Sequence, residues 1–242
     1  MKRQKFIILL ILTLFCQASM LYAGQPAKSD SLSNKEKGLV NIAATTASGE
    51  LTKLKDALNK GLDHGLTTNQ IKEGIIHLYA YAGFPRSIRG LQTLMEVLEE
   101  RRSKGINDRT GAEASPIRND KTKYDRGKAI LEKLTGVPER EPKTGYAAFA
   151  PTIEVFLKEH LFADIFERDV LSYAERELVT VSVLASIGGV EPMLKSHLTI
   201  CLNVGLSEEK LQQFVSIIEV SVGKKEAMDV QKILAKVLAA KK

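Results

Sequence analysis

Three side chains that can move a proton fall at suggestive helical positions: Glu177, His197 and Cys201. Between Glu191 and Val204, Leu194, His197, Leu198 and Cys201 recur three and four residues apart and share one helix face. That spacing turns the imidazole inward, where it can pass a proton to or from a bound acid. The plainer alternative is a core histidine bonded to a backbone carbonyl. Cys201, one turn beyond His197, can be a thiolate beside an imidazolium or a small packed hydrophobe. Glu175 and Glu177 open the segment AERELVTVSVLASIG. A glutamate there favours the helix dipole, but Glu177 also heads the face Val181, Leu184, Gly188 and can look between helices toward His197. A second cluster, HLYAYAGFPRS, sets His77, Tyr79, Tyr81, Phe84 and Pro85 around a helix end. His77 and Tyr81 share a face and form either the polar mouth of an aromatic pocket or a packing contact between helices.

The elements that position these residues are helical and occur twice. From Asp63, DHGLTTNQIKEGIIHLYAYAGFPRSIRGLQTLMEVL aligns without a gap on NVGLSEEKLQQFVSIIEVSVGKKEAMDVQKILAKVL from Asn203. Upstream, LVNIAATTASGELTKL matches LVTVSVLASIGGVEPML with one residue inserted, so each copy supplies three helices. Leu211, Phe214, Val215, Ile218 and Val222 trace one apolar face, as do Ile71, Ile75, Leu78, Tyr79 and Ala82. Each hinge ends one helix at a glycine and caps the next with Ser207 or with Thr67 or Thr68. Gly83 permits a turn and Pro85 can open the helix that follows. Between the copies, RRSKGINDRTGAEASPIRNDK reads as a linker or loose crossover. A short helix is expected from Tyr124 to Leu134 and a longer one from Thr152 to Phe166. The buried face of the longer one would be Ile153, Phe156, Leu157, His160, Leu161 and Ile165. The expected organisation is a first unit at residues 30–103, a linker at 104–118 and a larger second unit at 119–242.

The first 23 residues have the layout of a secretory signal peptide: Lys2, Arg3 and Lys5, an apolar run from Phe6 to Phe15, then small and polar residues to Ala23. The run is shorter than the roughly 20 residues that span a bilayer, so export to the periplasm or medium without a retained anchor is expected. Lipidation at Cys16 would need a small residue where Phe15 stands. Cleavage would lower the formal charge of +6 to about +3, so the basic balance is partly a targeting feature. The remaining charges alternate in sign along helices, and no basic stripe interleaved with aromatics marks a nucleic-acid surface. With Cys16 gone, Cys201 is the single thiol and no intrachain disulfide can form. His64, His77, His160 and His197 lie on separate segments without metal-ligand spacing, and no glycine-rich phosphate loop follows a strand. Neither a metal nor an organic cofactor is expected.

Taken together, YDRG, ERELVTVSVLASIGG, SHLTICLNVGLSEEKL and a closing helix over residues 124–238 resemble one complete carboxymuconolactone decarboxylase domain. In the first copy, LNKGLDHGLTTNQIKEGIIHLYAYAGFP resembles the most recognisable stretch of that family. The resemblance implies an all-α, duplicated helical bundle, related to the alkylhydroperoxidase D proteins, that assembles into rings such as trimers. It also implies acid/base roles for Glu177 and His197, with a small organic acid or lactone as substrate. A redox C-x-x-C pair would fall near Val190 and Met193, so thiol chemistry of the peroxiredoxin kind lacks its atoms here. Lys37 or Gly38 stands opposite Glu177, and Ala57 opposite His197, while the second copy reads SVGKK where the first has YAGFP. The expected pocket therefore joins Glu177 and His197 to Tyr81 and Phe84 of the same or a neighbouring chain. The competing expectation is a non-catalytic oligomeric binding protein on the same scaffold.

Overall fold

The computed structural model describes residues 30–117 and 120–241. The signal-peptide reading, with Cys16, lies outside the described residues. Those residues form helices and no strands: α1 (Asn34–Ser48), α2 (Leu51–Asp63), α3 (Thr68–Ser103), α4 (Lys123–Thr135), α5 (Gly145–Phe149) and α6 (Pro151–Phe156). A π-helical stretch, π1 (Leu157–Ile165), continues α6. Then follow α7 (Tyr173–Ile187), α8 (Glu191–Asn203), α9 (Glu208–Ser221) and α10 (Lys224–Lys241). None is long and apolar enough to cross a membrane.

The centre of the bundle is the packing of α1 against α7. Past their first turns both helices are buried nearly all round, from Gly38 to Ala47 in α1 and from Arg176 to Ala185 in α7. Capping boxes hold their first turns, Ser33 with Glu36 in α1 and Ser172 with Glu175 in α7. One core gathers Val40 and Ala44 of α1 with Leu178, Val181, Leu198, Phe214 and Leu234. The other gathers Leu39 and Ile42 with Leu58, Ile71, Ile75, Leu78 and Val179. Each central helix thus serves both cores, and each core draws on both halves of the sequence.

Matched turns feed these helices. After α2 the amides of His64, Gly65 and Leu66 donate to the carbonyls of Lys60, Leu62 and Gly61. After α8 the amides of Val204, Gly205 and Leu206 do the same to Ile200, Leu202 and Cys201. Thr67, rather than Thr68, then caps α3 through a box with Gln70, and Ser207 caps α9. Inside α3, Gly83 adopts φ 79° and ψ 165°, a conformation closed to side chains with a Cβ, so the helix breaks and restarts at Pro85.

Two expectations are corrected. The buried face of the α6–π1 segment is not the apolar set predicted. Leu161 and Ile165 are buried, but Ile153, Phe156 and His160 face outward. Glu154 and Lys158 go inside in their place. Lys158 is fully enclosed and ion-paired with Glu139 and Glu154, with its ammonium 3.0 Å from the Tyr124 hydroxyl. Burial works against charge in this cluster, yet its cations, Lys143 and Lys158, hold the Glu139 carboxyl down at about 2. The segment after α3, expected as a linker or loose crossover, is also tethered rather than loose. Its carbonyls at Arg109 and Thr110 accept from the Thr68 and Asn69 amides, and Asp108 grips Arg101. Free amides of the α3 first turn are what it satisfies.

Candidate functional site

Helix α7 carries polar residues into the interior. Glu175 stays outside in its capping box, while Arg176, Glu177 and Thr180 are fully buried. Glu177 Oε2 lies 2.8 Å from Nδ1 of His197 on α8. Its other oxygen, Oε1, is buried with no hydrogen-bond partner among the described residues. His197 keeps 14% of its side chain exposed, so the imidazole bridges an enclosed carboxylate and the outside. Tyr81 of α3 meets the ring edge-on, with centroids 5.8 Å apart. With Nδ1 committed to Glu177, Nε2 is the nitrogen at which a proton can enter or leave.

Behind this pair runs a polar seam. Glu73, His77 and Tyr81 follow one another at four-residue intervals on α3 and face Arg176 and Thr180 of α7. Arg176 donates to Glu73 at 2.7 Å, and Arg168 adds a forked pair to the same carboxylate at 2.9 and 3.0 Å. His77 is fully buried, with Nε2 2.8 Å from the Thr180 hydroxyl and Nδ1 3.4 Å from an Arg176 nitrogen. The Thr180 hydroxyl is 3.0 Å from the Arg176 carbonyl and 3.3 Å from the Tyr81 phenol. Nδ1 facing a guanidinium must be the acceptor, so His77 is neutral with its proton on Nε2.

Electrostatics agree with this assignment. Burial, and then the Arg176 charge, drive the His77 imidazole well below its usual range. Burial, and then the Glu177 carboxylate, push the Tyr81 phenol up, so it stays a donor. Burial raises Glu73, but Arg168 and Arg176 outweigh it and leave the carboxyl below its usual value. The sum is a cation-rich seam that keeps His77 uncharged beside the Glu177–His197 pair.

Of the residues singled out by spacing, Glu177, His197, Tyr81 and His77 converge. Phe84 does not join them: it stacks on Tyr79 with centroids 4.6 Å apart and is 63% exposed, because the break at Gly83 turns it outward. Cys201 is sealed in the core, and burial raises its thiol well above the usual range, the opposite of an activated nucleophile. Arg176, Glu73, Arg168 and Thr180 escaped the spacing argument. The signal available was the four-residue interval from Glu73 through His77 to Tyr81, matched by Arg176 and Thr180.

Residues 151–236, from α6 through most of α10, match the model of the Carboxymuconolactone decarboxylase family. This segment is a carboxymuconolactone decarboxylase family domain. It contains Glu177 and His197, whereas Tyr81 and the Glu73–His77 half of the seam come from outside the matched residues. No curated protein gives a significant match to the chain.

The seam sets a pH dependence. Because the folded chain excludes a proton from His77 that the unfolded chain binds below about pH 6.5, stability falls as pH drops through that value. The slope is about 1.4 kcal/mol per pH unit until the folded value is reached. Denaturant melts from pH 7.5 to 5 should show this loss in the wild-type chain and a flatter profile in His77→Asn. Equal slopes in both would contradict the neutral, enclosed imidazole.

Proposed function

We propose that this protein is an exported, cofactor-independent catalyst of proton transfer or decarboxylation on a small organic acid or lactone. The observation that carries the reading is the 2.8 Å contact between a fully buried Glu177 and a partly exposed His197. In a decarboxylation the carbon–carbon bond breaks, its electron pair stays on the substrate as an enolate, and carbon dioxide leaves. His197, protonated, then delivers the proton from Nε2 to that carbon, and Glu177 offsets the imidazolium charge and fixes the ring. Tyr81 offers a phenol that stays protonated at the edge of the same ring. The name of the matched family points to the same reaction class.

A peroxide-reducing role finds less support. Val190 and Met193 stand where a C-x-x-C pair would be, and Cys201 is enclosed with a raised thiol. Self-association, as a trimer by the family resemblance, is part of the proposal. Phe149, Phe156 and Tyr146 are 92%, 61% and 57% exposed, more aromatic surface than a solitary bundle ordinarily leaves wet.

Turnover of a panel of lactone acids tests the chemistry. His197→Gln should lower kcat by about 100-fold or more, Glu177→Gln should also lose activity, and both should melt cooperatively. Wild-type rates in the two folded variants would leave a non-catalytic binding protein as the better reading. Light scattering on the eluting protein should give a multiple of the chain mass that Phe149→Ser with Phe156→Ser reduces; a wild-type monomer would remove the assembly proposal.

A further inference from the structure

The structural register shows what stands opposite Glu177 and His197 in the first half. The two capping boxes set Glu36 against Glu175, which puts Lys37 opposite Arg176 and Gly38 opposite Glu177. The matched turns after α2 and α8 put Ala57 opposite His197. Where α7 carries Thr180 3.3 Å from the Tyr81 phenol, α1 carries Asn41 with its Oδ1 2.5 Å from the Ser221 hydroxyl at the end of α9. A polar contact therefore stands at both positions. The acid and the imidazole are replaced by the two smallest residues.

A groove of about 420 Å³ opens to the surface between α1, α2 and the end of α9, with both of these small residues in its lining. Its apolar floor includes Gly38 and Ala57. Its rim is cationic: Lys37, Lys53 and Lys60, with His64 beside them, against one carboxylate, Asp56. Among the described residues none of these three lysines sits in an ion pair. Lys55 and Lys210, by contrast, are held by Glu96 and Glu100 and by Glu36. The Lys53 ammonium donates to the Ser221 carbonyl at 3.2 Å, which aims a charge over the floor.

From these features we infer that the groove is a binding site for a small organic anion carrying two or more carboxylate or phosphate groups. A volume in the range of small-ligand sites, an apolar floor with hydroxyl and amide groups, and three lining lysines that no carboxylate holds among the described residues are the recognition chemistry such an anion needs. The site is separate in residues from the Glu177–His197 pair and does not depend on that pair being catalytic.

Calorimetry on the full chain at low ionic strength, with citrate and with inorganic phosphate as probes, tests it. One saturable site per chain is expected, weakened by added salt. Lys37→Glu with Lys53→Glu should weaken it about tenfold or more, and Lys236→Glu, an exposed lysine on α10, should not. Tighter binding of citrate would assign a polycarboxylate ligand, and of phosphate a phosphorylated one. In the unsubstituted chain, amide shifts of Lys37, Asn41 and His64 should follow the same saturation curve. No saturable binding of either anion, or shifts spread over lysines outside the groove, would overturn the site.

Discussion

A carboxylate taken fully out of water needs partners, and Glu177 has one: an imidazole that itself reaches the outside. Much of the bundle is arranged around that constraint. The capping box at Ser172 fixes the phase of α7 so that Glu175 stays wet while Arg176 and Glu177 point in. The Gly205 turn fixes the phase of α8 so that His197 meets the carboxylate. A buried charge with a single partner is costly to leave alone, which makes the pairing a condition of the fold as well as a candidate for chemistry.

The seam behind the pair solves a related problem. Arg176 enters the interior one residue before Glu177, and Glu73 with Arg168 keep its charge compensated. His77 and Thr180 then carry the hydrogen bonding to the Tyr81 phenol without a further charge. The matched family domain thus leans on a helix outside the matched residues for the partners of Arg176 and Thr180. This is why the first half of the sequence matters to a site whose acid and base both lie in the second.

The helical class and hinges were legible because they depend on local signals: apolar spacing, a glycine at each turn, and Ser or Thr caps. Glu177 and His197 were legible as helix-face positions, since one turn of a helix decides direction. What spacing could not reveal was pairing between charges far apart in sequence. Glu73 and Arg176 are each ordinary on their own helices and gain meaning only when α3 crosses α7. The buried face of the α6–π1 segment was misread because Lys158 becomes tolerable inside only once Glu139 and Glu154 surround it. Lys37 and Gly38 could not be ordered against Glu177 from the alignment alone; the capping boxes set the register.

The central claim is that Glu177 holds Nδ1 of His197 and leaves Nε2 as the working atom. Nitrogen-15 NMR of the His197 ring, assigned by comparison with His197→Gln and recorded where the ring is neutral, reads this directly. The proton should reside on Nδ1, with Nε2 showing the shift of an unprotonated imidazole nitrogen, and Glu177→Gln should disturb that preference. A neutral ring protonated on Nε2 in the wild-type chain would contradict the account.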